Sequence, residues 1–284
     1  MNKTILTAAL ALSLFSSAHA QSASSGVLSN LSVNGTMDLE SQYIFRGKKI
    51  TNAALQPSVN VNYGNVGPGT ITGYVWTSQP VGRRGNAAGP NQNNEYDFGL
   101  RWDAPLPVLS DIAYEIGVQM YWYPNISGTA GFTSRSYEFH GALTYDTTKL
   151  LGVNVSPSVT LFHDVIIDSN TLQLGATYTW DLSDAASLKG LSLTPTATLG
   201  WTGMNRTFGD QAGPGGNWSN GYVYYELDLE LDYKPNNSGS TTFFVGAHYA
   251  GNSDGTTNGF AGANPQAPGS DSSIWGGFGV KFNQ

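Results

Sequence analysis

The sequence predicts an all-β protein: a closed antiparallel transmembrane β-barrel of about twelve strands behind an N-terminal signal peptide. Three observations carry that reading. The first is a period of two, clearest where Glu226, Asp228, Glu230 and Asp232 alternate with Leu227, Leu229, Leu231 and Tyr233. Strand side chains alternate faces, so this stretch puts four acids on one side and an apolar row on the other, whereas a helix would scatter the charges. The second is that no apolar run after residue 20 approaches the ~20 residues of a membrane helix. A chain of this kind crosses a membrane only as a closed barrel, because closure alone satisfies every backbone group in lipid. The third is the placement of aromatic residues at both ends of the apolar faces, where a membrane interface favours them.

The chain opens with Met1-Asn2-Lys3, an apolar run over 5–15, and Ala18-His19-Ala20. A basic start, a short apolar core and a small-residue site read as a secretory signal peptide over 1–20. A serine-containing flexible tail over 21–31 follows, and the barrel is expected over 32–284. With no cysteine there is neither a disulfide framework nor a lipidation site. The net charge of −7 becomes −8 once Lys3 leaves with the signal, which argues against a nucleic-acid partner.

The strands follow in order. Met37, Leu39, Tyr43 and Phe45 share one face of the first, opposite Asp38, Glu40 and Gln42. After a connection over 48–52, Leu55, Val59, Val61 and Tyr63 line the second. A glycine-rich turn over 64–69 leads to a third strand over 70–78, whose phase stays open between Ile71 with Val75 and Tyr74 with Trp76. Beyond a polar loop over 79–93, residues 95–103 alternate without a break. Tyr114, Ile116, Val118 and Met120 form the apolar face of the fifth strand, against Glu115, Gln119 and Tyr121. Phe139 and Leu143 mark the sixth, opposed by Glu138 and His140; Val155, Val159 and Leu161 mark the seventh. Leu172, Leu174 and Ala176 identify the eighth, and Leu193, Ala197 and Leu199 the ninth. The acidic stretch is the tenth, Phe243, Val245 and Ala247 lie on the eleventh, and Ile274, Phe278 and Val280 on the last. Pro157 and Pro195 fall inside strands, where each removes a ladder bond and marks a bulge or a strand start.

Shorter turns alternate with longer loops at 79–93, 203–220 and 251–272, as in bacterial outer-membrane barrels. Trp102, Trp180, Tyr63, Tyr145 and Tyr233 would form one aromatic girdle, and Tyr43, Phe45, Trp122, Trp201 and Tyr249 the other. The stretch Ser41-Gln42-Tyr43-Ile44-Phe45-Arg46-Gly47, followed by Gln56-Pro57-Ser58-Val59, resembles the TorF-type family of outer-membrane porins, with its Tyr-x-x-Arg-Gly and downstream Pro-x-Val. The resemblance covers the first hairpin and implies the architecture rather than a substrate.

The polar faces collect Asp38, Glu40, Glu95, Asp97, Glu115, Glu138, Glu226, Asp228, Glu230 and Asp232, with Arg46, Arg101 and Lys281 among them. Arg46 apart, these are the expected pore-lining residues. If the polar face is a hydrated lumen, it favours cations, as Asp and Glu rings do; if the interior is packed, the acids are partnered and conduct nothing. The expected function is a porin-like channel in the bacterial outer membrane for small cationic or neutral hydrophilic solutes. The alternatives are a lipid- or peptide-hydrolysing barrel enzyme and a structural or adhesive barrel acting through its loops. No cofactor or metal is expected. His163-Asp164, with Glu95 and Asp97 nearby, is the best acid–base candidate for the enzyme reading. Lys281 is expected to pair with Asp38 or Glu40 across the closing seam. Outer-membrane lipid is the expected surrounding, and Lys48-Lys49 with Arg83-Arg84 are candidates for holding lipopolysaccharide phosphates.

Overall fold

The computed structural model describes residues 27–81, 94–124, 134–153, 155–183, 189–204, 221–235, 240–253 and 272–284. The expected signal peptide, most of the serine-containing tail, Arg83-Arg84 and most of the three long loops lie outside the described residues. Val27–Asn30 forms a single 3-10 turn. The strands are β1 (Leu31–Glu40), β2 (Tyr43–Phe45), β3 (Lys48–Thr51), β4 (Ala54–Val66), β5 (Gly69–Pro80), β6 (Glu95–Pro105), β7 (Ile112–Trp122) and β8 (Arg135–Tyr145). They continue as β9 (Val155–Asp164), β10 (Ser169–Tyr178), β11 (Trp180–Asp181), β12 (Leu191–Met204), β13 (Tyr222–Tyr233), β14 (Thr241–Asn252) and β15 (Ser272–Asn283).

Twelve of these strands form the wall, each antiparallel to the next, and β15 returns to pair with β1 from Asn34↔Asn283 to Glu40↔Gly277. The sheet is therefore a closed barrel. β2 and β3 are a separate hairpin, and β11 continues the line of β10 along β12. Followed once around the registers, a residue of β1 comes back about 16 positions along the chain. With strands ~4.8 Å apart, that stagger implies a tilt near ~45° and a backbone radius of roughly 12 Å. Such a barrel has a lumen, but one narrow enough for a single inward hairpin to touch most of its walls.

The prolines explain the irregularities in the ladder. The β10–β12 pairing ends at Thr177↔Thr196 and resumes as β11 at Trp180↔Leu193, so Pro195 sits in the gap between the two strands. Pro157 lies just past the end of the β8–β9 ladder, which stops at Thr144↔Ser158. A residue without an N–H is tolerated at such breaks. At the end where β1 begins and β15 stops, the connections are mostly the shorter ones in sequence. Asp146 is hydrogen-bonded there by the side chain and then by the backbone N–H of Thr148, the latter at 2.9 Å, which holds its carboxyl below the usual carboxylate range; Asp181 accepts the Ser183 backbone N–H at 2.9 Å.

Outward positions are apolar and uncovered by protein: Leu100, Phe139, Leu227, Val245 and Phe278 all stand more than half exposed. A continuous band of this kind is stable only against lipid. Trp102 packs edge-on against Tyr114 and Trp180 against Tyr178 at the turn end; Trp122 meets Tyr96 and Tyr249 meets Tyr225 at the loop end. These pairs form the two girdles.

Two measurements check this arrangement. Leu229→Arg, on the lipid face at mid-strand, should lower the unfolding free energy in vesicles by about 2–4 kcal/mol. Thr198→Arg, facing Glu226 across the ladder, should change it by less than about 1 kcal/mol. Boiled and unboiled samples should also migrate differently on a denaturing gel, since the closed ladder resists mild detergent; identical migration would contradict closure.

Candidate functional site

The connection between β1 and β4 does not rise out of the barrel. Alternation breaks at Ser41 and Gln42, and the chain turns inward as the β2–β3 hairpin. The hairpin tip is Arg46-Gly47, both in the left-handed region with φ of 50° and 73°. Glycine is required at the second position, because a Cβ there would collide with the Gly251 carbonyl and Tyr224.

The tip crosses the lumen and is held by several walls at once. Arg46 Nη1 and Nη2 donate to Glu138 Oε2 and Oε1 on β8 at 2.8 and 2.9 Å, a two-pronged ion pair with both side chains buried. The guanidinium lies over the rings of Phe45 and, on β9, Phe162, at 4.7 and 4.4 Å. Tyr121 on β7 donates to Glu138 Oε1 at 2.8 Å, and Phe45 packs edge-on against the Tyr121 ring. On the other side Asn252 Nδ2 donates to the Gly47 carbonyl at 2.7 Å, and Lys48 Nζ lies 4.3 Å from the centre of the Tyr222 ring. Tyr43 packs against Trp76 on β5. The loop-end part of the lumen is filled.

This corrects the expected outer girdle and settles the open phase of the third strand. Tyr43 and Phe45 belong to the interior hairpin and not to the outer girdle, because the break at Ser41-Gln42 resets the side-chain phase. Lys48 is engaged with Tyr222 inside the barrel mouth. Trp76 and Tyr74 face inward, which resolves the third strand; the Tyr74 ring lies where a side chain on Gly99 would stand, and its hydroxyl donates to Gln119 Oε1 at 2.5 Å.

The expected pore-lining residues all face the interior, in three groups. Glu95 and Asp97 on β6 and Glu138 surround the hairpin; Tyr123 donates to Glu95 Oε1 at 2.7 Å and Gln119 Nε2 to Asp97 Oδ2 at 2.8 Å. Below it, Arg101 Nε stands 3.5 Å from Glu115 Oε2, whose other oxygen meets His140 Nε2 at 3.0 Å. On the opposite wall Asp38, Glu40, Glu226, Asp228, Glu230 and Lys281 line one cavity. There His248 Nδ1 contacts Asp228 Oδ1 at 2.6 Å, and Lys281 Nζ donates to Glu230 Oε1 at 2.5 Å and Asp232 Oδ1 at 3.0 Å.

Lys281 thus does not form the expected seam pair with Asp38 or Glu40. Its backbone is level with Thr36 on β1 and Thr242 on β14, and the long side chain leans over β14 to the carboxylates of β13. The acidic strand also has more neutralising partners than its uncharged neighbour β12 suggests, since β14 and β15 bring His248 and Lys281 to it. The His163-Asp164 pair does not assemble. Asp164 points inward, accepting from Ser136 Oγ at 2.5 Å and from the backbone of Ile166 and Ile167, whereas His163 lies on the other face against Asn170. Alternation forbids the pair, because consecutive strand residues face opposite sides. His140 and His248, the histidines that do join carboxylates, were singled out by no motif.

Towards the turn end the interior carries short amides and hydroxyls, such as Asn60 with Asn34, Thr72 with Asn62 and Thr177 with Thr196. Most of these are half-buried, as are the β13 acids.

No family model and no curated protein matches the chain. Among solved structures it is similar to the NanC porin at 13% identity and TM-score 0.48, over 89% of this chain and 98% of that one. LpxR from Salmonella typhimurium gives 11% identity and 0.49 over 88% and 99%, and the KdgM porin 9% and 0.45 over 88% and 98%. The barrel itself stands on the strand registers.

Removing one partner of the hairpin's ion pair leaves the other charge buried, at a cost of about 3–5 kcal/mol. Arg46→Ala should therefore lower barrel stability by that order in a refolding titration. Arg46→Met combined with Glu138→Gln should recover much of the loss; equal losses would show that the pair does not hold the hairpin.

Proposed function

We propose that the protein is a porin-like channel of the bacterial outer membrane, selective for small cations, with its first hairpin as the constriction. The observation that supports this best is the charge of the interior. The lumen-facing carboxylates outnumber Arg46, Arg101 and Lys281, and on the β13 side they border water-accessible space. A narrow low-dielectric tube lined by one sign of charge concentrates counterions and repels co-ions. The Tyr-x-x-Arg-Gly resemblance to TorF-type porins falls on the hairpin tip, which gives that motif a structural role in this chain.

Passage requires the hairpin to leave its seat or to let small ions around its edge. The wild type should therefore show low conductance in a planar bilayer, and Arg46→Ala should raise it. In a potassium chloride gradient the reversal potential should report cation preference, weakening at high salt as screening shortens the field. Replacing Glu226, Asp228, Glu230 and Asp232 by their amides should move it towards zero. Anion preference in the wild type, or unchanged selectivity in the quadruple variant, would overturn the proposal.

A further inference from the structure

Beneath the hairpin, against the wall made by β13, β14, β15 and β1, lies a cavity of about 340 Å³, within the range of small-molecule sites. Glycines hollow it out. A Cβ on Gly277 would land on the carboxylate of Glu40, and one on Gly246 would meet His248 Nε2 at 2.6 Å. Their missing side chains give Glu40 and His248 the wall space that they occupy.

The charges around this cavity do not balance. Lys281 is committed to Glu230 and Asp232, and His248 Nδ1 to Asp228. Asp38, Glu40 and Glu226 line the same space. Glu40 is 8% exposed, its Oε2 has no hydrogen-bond partner among the described residues, and neither has His248 Nε2, 3.8 Å from Glu40 Oε1. A buried carboxylate oxygen without a donor is costly, and Glu40 is one of the residues that line this cavity. The remaining wall carries Ile44, Phe244 and Trp275 beside the polar Thr36, Gln42, Tyr43 and Gln56. Among the described residues no group of three or more His, Asp or Glu has the arrangement to hold a metal ion. An ammonium, with three rotatable N–H donors, makes no such demand on geometry.

We infer that this cavity binds a small aliphatic diamine, one ammonium on Glu40, the second on Glu226 or Asp38, and the alkyl chain along Ile44, Phe244 and Trp275. The inference rests on the cation preference proposed for the lumen, but not on passage through it.

The test is calorimetric titration of the folded, detergent-solubilised full chain with putrescine, with magnesium chloride as comparator. Saturable putrescine binding is expected, with no comparable binding of magnesium. Glu40→Gln should weaken it by about tenfold or more, the loss of one charge-assisted contact. Gly277→Leu, which removes no charge, should weaken it by filling the cavity. Each variant is first checked for heat-dependent gel migration. No saturable binding by the folded wild type, magnesium binding as tightly as putrescine, or undiminished binding by both folded variants would overturn the inference. Putrescine binding by an anion-preferring barrel would defeat the channel proposal alone, whereas cation selectivity without putrescine binding would defeat this inference alone.

Discussion

The pairing of β15 with β1 is the interaction on which the rest depends. In hydrocarbon an unpaired strand edge strands a row of backbone donors and acceptors with nothing to bond. The seam from Asn34↔Asn283 to Glu40↔Gly277 removes that edge. Once the ring is closed, the two faces of every strand have fixed fates: one meets lipid and the other meets the lumen. The apolar band, the aromatic girdles and the concentration of acids inside are all consequences of that division. It also restricts where the hairpin can go, since its polar groups are excluded from lipid and find hydrogen-bonding partners inside.

Within the lumen the charges are arranged as local settlements rather than as a uniform ring. Glu138 is answered by Arg46, Glu115 by Arg101 and His140, and Glu230 and Asp232 by Lys281. The Arg46–Glu138 pair is the most deeply buried of these. Burying two ions costs more than a surface pair returns, and is tolerated where the geometry is good and the remaining bonding capacity is filled. Tyr121 on the carboxylate and two aromatic rings on the guanidinium meet that condition. The pair's effect is specificity: it places one loop residue against one wall residue and so fixes the hairpin's depth.

Most of the wall was legible in the sequence because a half-buried strand writes its two environments as alternation. Glu226 to Tyr233 needed no further information, and the twelve-strand closure followed from the alternation with the loop pattern. The hairpin was not legible, since Tyr43 and Phe45 continue the odd-numbered apolar series of Met37 and Leu39; only the turn at Ser41-Gln42 reverses them. The interior ion pairs were half legible. Alternation puts these residues on the inner face, but Lys281's partners depend on strand tilt and side-chain reach, which alternation does not encode. The same is true of Gly99, Gly200 and Gly277: in the sequence they read as weak points in strands, whereas in the fold they are the seats of Tyr74, Tyr224 and Glu40.

The hairpin's contacts also reach far along the chain. It lies between β1 and β4, yet its partners Glu138, Phe162, Tyr222 and Asn252 come from strands much later in the chain. Those walls come together only when the ring closes. The full set of hairpin contacts therefore exists only in the closed ring, where strands from both halves of the chain share in holding one early connection.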